Sequence, residues 1–212
     1  MRHPYDVETL TAGRWRNGGG ATREIVSWPA GAEEFQWRAS VADIDGDGPF
    51  SAFPGIDRTF TLLSGDGVRL VAPGAYDRTA RVGEPLEFSG DLELAAELRG
   101  GPCRAFNIMV RRGPGDRAGR VERTTGPVTS ASGRAGVFYV LHGQWRTGAG
   151  ESPLDVGQGV WWDGYGDGDG GGDGDGREPG WVAVPVTAGA VALWAEFSTG
   201  SGGRDRGVGG GR

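Results

Sequence analysis

The stretch Phe35-Gln36-Trp37-Arg38-Ala39-Ser40-Val41 decides the fold class. Phe35, Trp37, Ala39 and Val41 fall on one side of an extended chain, and Gln36, Arg38 and Ser40 fall on the other. A period of two belongs to a strand with one buried face. The alternation returns from Cys103 to Val110, where Phe106, Ile108 and Val110 oppose Asn107, Met109 and Arg111. Shorter strand signals lie at Ala21–Trp28, Thr59–Leu63, Val68–Ala72 and Pro85–Phe88. The second half adds Gly136–Leu141, Leu154–Trp162, Trp181–Val184 and Ala190–Phe197. Asp91–Leu98 reads either way: its composition favours a helix, its length and flanking glycines a strand. Val7–Gly20 reads as a loop or edge segment.

Composition points the same way. Glycine supplies 43 of the 212 residues, far above the usual share, which calls for many tight turns and disfavours helix. The chain is therefore expected to be all-β, as two similar modules or one extended β-sandwich. Two β-rich halves meet near residues 111–126. The N-terminal half, residues 1–115, carries the polar motifs, and the C-terminal half covers 116–199. A Gly/Asp-rich run at 163–180 and a tail at 200–212 are expected to be disordered.

Charge excludes several classes. Of the net −6, a charge of −5 sits in the run at 163–180. With no basic stripe and a pI of about 5.0, the chain is not expected to bind nucleic acid or an anionic membrane. All 22 basic residues are arginine, which rules out Schiff-base chemistry at a lysine. No apolar stretch is long enough to span a bilayer. The opening residues lack a secretory apolar core, and Cys103 alone permits no intrachain disulfide, so a cytoplasmic location is expected. The acidic run lacks the spacing of a calcium loop. Only His3 and His142 are present and no His-x-His occurs, so neither a metal nor another cofactor is expected.

Four polar clusters carry the functional signal. The first is Trp15-x-Asn17-Gly18-Gly19-Gly20-x-Thr22-Arg23-Glu24; it fits no phosphate-loop spacing. Its glycines allow close backbone approach, so Asn17 and Arg23 could line a small-anion pocket. The second is Trp37-Arg38-Ala39-Ser40. If Arg38 faces inward it needs a partner, and Glu24 or Asp57 could supply one. The third is the compact loop Gly48-Pro49-Phe50-Ser51-x-Phe53-Pro54-Gly55-Ile56-Asp57-Arg58. The neighbouring cation keeps Asp57 ionised, which suits structure or binding better than proton transfer. The fourth is Phe106-Asn107-Ile108-Met109-Val110-Arg111-Arg112, whose polar face with a methionine could line a cavity.

Together these clusters, with Phe88-x-Gly90-Asp91, resemble the HutD/Ves family over about residues 10–115. The resemblance implies a cupin-type β-barrel with two cupin-like halves in one chain. It also implies regulation of histidine utilisation through a small acidic intermediate, such as urocanate or formylglutamate. Ves proteins are linked instead to environmental stress. One position departs from the pattern: the family carries an Asp before the Phe-Asn pair, where this chain has Ala105.

The expected ligand site thus comprises Arg23, Arg38, Arg58 and Arg111 as carboxylate clamps. Asn17, Ser40 and Asn107 add hydrogen bonds, and Trp37, Phe53 and Met109 add apolar contacts. Gly18, Gly19, Gly20, Glu24 and Asp57 support it. The expected partner is a small acidic metabolite, and a homodimer is compatible with the sequence. The alternatives are a metal-free enzyme using Glu24, Asp57 or His142 for proton transfer, and a protein-interaction module contacting partners through Trp161 and Trp162. No catalytic residue is assigned.

Overall fold

The computed structural model describes residues 1–113, 120–131, 133–164 and 180–198. The core of the Gly/Asp-rich run and the tail at 200–212 lie outside these residues. Eighteen strands and one three-residue 3-10 turn, Val7–Thr9, make up the regular structure among the described residues. The strands are β1 (Arg2–Asp6), β2 (Ala12–Arg14), β3 (Gly20–Trp28), β4 (Trp37–Ile44), β5 (Gly48–Pro49) and β6 (Ile56–Ser64). Then follow β7 (Val68–Ala72), β8 (Tyr76–Ala80), β9 (Pro85–Ser89), β10 (Ala95–Leu98) and β11 (Cys103–Arg111). The remainder are β12 (Val121–Thr124), β13 (Val128–Thr129), β14 (Arg134–His142), β15 (Trp145–Arg146), β16 (Gln158–Trp162), β17 (Val182–Pro185) and β18 (Val191–Ser198). The ambiguous segment 91–98 resolves as strand β10, pairing with β7 from Ala95↔Val71 to Leu98↔Val68.

Four antiparallel sheets pack as two pairs. The first pair is a six-stranded sheet, β2-β3-β4-β11-β6-β9, and a four-stranded sheet, β5-β10-β7-β8. The second is a five-stranded sheet, β1-β16-β14-β18-β12, and a three-stranded sheet, β13-β17-β15. The first strand thus belongs with the C-terminal sheets, paired to β16 from Arg2↔Trp162 to Asp6↔Gln158. This is the cupin-type barrel architecture that the family resemblance implies. No helix among the described residues is long and apolar enough to cross a membrane.

Strand alternation places the cores. Trp37, Ala39, Val41, Phe106, Ile108 and Val110 point from the six-stranded sheet toward Val137, Tyr139, Leu193, Ala195 and Phe197 of the five-stranded sheet. Trp37 and Phe197 stack with ring centroids 4.8 Å apart. Trp37 therefore belongs to this core and not to a ligand pocket. Half-buried Trp161 packs against the same core and stacks on His3 at 3.9 Å, whereas Trp162 is buried on the opposite face. The opposite face of β4, β11 and β6 turns into the N-terminal barrel. There Ile44, Phe60, Leu62 and Ala105 meet Val68, Leu70 and Ala96 of the four-stranded sheet. Ala105, where the family pattern has Asp, is wholly buried in this apolar part.

The two barrel interiors differ. In the C-terminal barrel, Trp145, Trp162, Trp181 and Trp194 crowd around Phe138 and fill the space. In the N-terminal barrel the apolar filling stops short, and a cavity remains.

Candidate functional site

The cavity has a volume of about 580 Å³. Three adjacent strands build its floor. Ser40 stands opposite Asn107, and Arg38 opposite Met109, across β4 and β11. Met109 in turn faces Arg58 across β11 and β6. Strand periodicity therefore presents Arg38, Ser40, Asn107, Met109 and Arg58 on one surface. The segment before β6 brings Phe50, Ser51 and Phe53 across the top, and the β2–β3 turn adds Trp15, Arg16 and Asn17 at the side.

The triple glycine explains that turn. Gly18 adopts φ +73°, a conformation costly for residues with a Cβ. A Cβ on Gly20 would lie 2.2 Å from the Asp43 carbonyl oxygen and 3.1 Å from the Trp15 ring. Its absence lets the indole lie against β3, where Trp15 Nε1 donates to Thr22 Oγ1 at 2.8 Å.

Arg58 dominates the electrostatics. Its side chain is buried, at 6% relative exposure. Nη1 donates to the Ser51 carbonyl at 3.1 Å and Nη2 to Asn107 Oδ1 at 3.4 Å. Nε is buried and has no partner. The guanidinium lies 5.4, 5.3 and 5.1 Å from the ring centres of Phe50, Phe53 and Phe88, a cation–π cage. No carboxylate pairs with it among the described residues. Burial, then the neighbouring Arg38 charge, lowers its pKa to about 10, so it remains a cation at neutral pH.

Arg38 has a counter-ion. Its Nε lies 2.8 Å from Glu24 Oε2, an ion pair without hydrogen-bond alignment. Arg38 lines the cavity, whereas Glu24 stands outside the lining. The lining contains no Asp, Glu, His, Cys or Tyr. Its polar atoms belong to guanidinium, amide and hydroxyl groups. This donor set does not fit a transition metal and places no proton-transfer residue beside the hydroxyls of Thr22, Ser40 and Ser51. It suits an anion.

Seven of the ten expected ligand residues line this one space: Asn17, Arg38, Ser40, Phe53, Arg58, Asn107 and Met109. Trp37, in the shared core, does not, and neither do Arg23 and Arg111. Arg23 lies between Thr22 and Glu24, so alternation sends it to the other face, where it ion-pairs with Asp43. Burial pushes the Asp43 carboxyl up, but hydrogen bonds from Arg104 and Arg23 outweigh it and hold the group below the ordinary carboxylate range. Arg111 ends β11, and its Nε donates to the Phe35 carbonyl at 3.0 Å, outside the cavity. Among the proton-transfer candidates, Asp57 pairs with Arg112 at 2.9 Å and His142 is exposed at the end of β14. Arg14, Trp15, Arg16, Thr22, Ala42, Pro49, Phe50 and Ser51 complete the lining. Thr22 and Ala42 could have been found from strand parity, being two residues from Glu24 and Ser40.

Fold and site together define a barrel of the cupin type with a cationic, donor-rich cavity. Within that class the chain belongs to the HutD family, whose model matches residues 7–173. It is 38% identical to protein Ves of Citrobacter koseri over 159 residues, covering 74% of this chain and 81% of that protein. The Ves protein of Cronobacter sakazakii is also 38% identical over 159 residues, covering 74% and 85%. Among solved structures, HutD from Pseudomonas fluorescens SBW25 (formate condition) superposes with a TM-score of 0.74 at 25% identity, covering 94% of this chain and 100% of that one. A conserved protein of unknown function from Pseudomonas aeruginosa PAO1 gives 0.77 at 22% identity, with coverage of 94% and 100%.

Proposed function

We propose that this protein is a metal-free binding cupin that takes a small carboxylate into its N-terminal barrel and acts as a regulator of histidine utilisation. Urocanate and formylglutamate are the leading ligands. The observation that carries the reading is Arg58: a buried cation with an orphaned Nε and no carboxylate partner among the described residues, in a cavity whose lining offers no acid. Leaving a buried charge uncompensated is costly, and a bound carboxylate would offset that cost with charge-assisted hydrogen bonds. Arg38, Ser40 and Asn107 stand beside it to share the load. Support for the pathway comes from membership of the HutD family. A related HutD structure is described for a formate condition, and formate is the smallest member of the proposed ligand class.

Thermal melting with urocanate, formylglutamate, formiminoglutamate, histidine, glutamate and formate tests the reading, each with and without EDTA. A ligand at 100 times its Kd adds about 2.7 kcal/mol, several degrees for a chain of this size. The expected result is a shift with a histidine-pathway acid that EDTA does not change and that Arg38→Ala and Arg58→Met abolish. Absence of any shift across the panel removes the histidine-pathway role.

A further inference from the structure

Residues 50–54 form a wall one segment thick between the cavity and solvent. Phe50, Ser51 and Phe53 line the inside, while Ser51, Ala52 and Pro54 are exposed outside. Hydrogen bonds hold both ends in the closed strap, and opening breaks those made by the Phe50 and Phe53 amides. Pro49 belongs to β5, and Phe50 N donates to the Leu94 carbonyl at 2.7 Å. Phe53 N donates to the Gly90 carbonyl at 2.7 Å, and Gly55 N donates to Asp91 Oδ1 at 2.8 Å. Arg112 ties the second end to the sheet through Asp57, Ser89 and Asp91. Between these anchors the amides of Ser51 and Ala52 have no partner among the described residues. One interior contact holds the middle: Arg58 Nη1 on the Ser51 carbonyl, with the guanidinium seated between the Phe50 and Phe53 rings. Arg58 itself stands on β6, inside the six-stranded sheet.

We propose that residues 50–54 are a strap whose opening is suppressed when a carboxylate occupies the cavity, with Arg58 as the latch joining ligand and strap. This inference rests on the carboxylate-binding reading above. An anion against Arg58 fixes the guanidinium, and the guanidinium fixes Ser51 and both phenylalanine rings. A ligand that binds only the closed strap must suppress opening by mass action. The outer face of the strap then presents a different degree of order in the occupied and empty protein. This is a surface signal that a regulator can display without moving a sheet.

Amide hydrogen exchange with acetate and formate as probes, against chloride at equal ionic strength, tests it. The amides of Phe50 and Phe53 report strap opening. Acetate at ten times its Kd is expected to slow both about tenfold, with Val186, bonded to the Gln144 carbonyl in the C-terminal half, unchanged. The second arm is Ala52→Gly. Ala52 is exposed and does not line the cavity, yet loosening it is expected to weaken acetate about two- to fivefold, because glycine adds conformational freedom to the open strap. If calorimetry shows acetate binding while Phe50 and Phe53 exchange as before, or while Ala52→Gly binds as tightly as the parent, the strap is overturned and the binding site stands. If neither acetate, formate nor any acid of the melting panel binds, both readings fall.

Discussion

Arg58 is the residue on which the site turns, and its titration makes a prediction with a definite sign. Its folded pKa, about 10, lies below the ordinary arginine value because burial and Arg38 disfavour the cation. The charged form therefore costs stability at every pH below about 10, and that cost is relieved as pH rises through it. Carboxylate affinity should run the opposite way. It should be level between pH 6 and 9, where ligand and Arg58 are both ionised, and should fall as pH passes 10. Calorimetric titration at pH 7, 9 and 10.5, with circular dichroism to confirm the fold, checks this; affinity unchanged at pH 10.5 would remove Arg58 from the anion contact. The same reasoning predicts that Arg58→Met melts no lower than the parent, since an apolar side chain of similar length replaces an uncompensated charge.

At the scale of the strand, the β2–β3 turn shows how local backbone chemistry shapes a cavity wall. Gly20→Ala places a methyl group 2.2 Å from the Asp43 carbonyl oxygen and 3.1 Å from the Trp15 ring. Both strands sit in a sheet, so the clash cannot be relieved by a side-chain rotation alone. A loss of about 1–3 kcal/mol is expected, read by urea denaturation, together with weaker ligand binding as Trp15 leaves the wall. Gly18→Ala should act differently, since its Cβ meets nothing within 4 Å and only its φ of +73° is strained. Much of this level was legible from residue order. The alternation of residues 35–41 and 103–110 separates the two faces of β4 and β11, and Arg38, Ser40, Asn107 and Met109 of the cavity follow from it. Which face is wet was not legible. Residue order leaves the polar side of β4 either solvated or turned inward, and Ser40 is 3% exposed because that side faces the cavity of the N-terminal barrel. A strand records its own periodicity but not the sheet that covers it. Short strands such as β1 and β12 escaped for the same reason: their pairing is specified by the distant β16 and β18.

For the whole molecule, the decisive feature is that the two pairs of sheets share one core instead of docking as separate domains. Phe106 of β11 and Tyr139 of β14 lie 5.5 Å apart, and Trp37 stacks on Phe197. Val7, next to the first strand, is wholly buried in the same cluster. The first strand also crosses to the C-terminal sheet, so the second pair of sheets is not completed by its own segment of chain. Opening one pair would expose the apolar face of the other, at about 25 cal/mol for each Å² uncovered. Unfolding is therefore expected to be a single cooperative event despite the length of the chain. Far-ultraviolet circular dichroism and tryptophan fluorescence should give coincident urea transitions, since Trp15 reports the cavity barrel and Trp145, Trp162, Trp181 and Trp194 report the filled one. Phe106→Ala removes a fully buried ring from the shared core and should cost about 3–5 kcal/mol while leaving the two transitions superimposed. Their separation in the parent protein would mean that the halves fold independently and that the shared core contributes little; separation only in Phe106→Ala would mean that this one ring couples them.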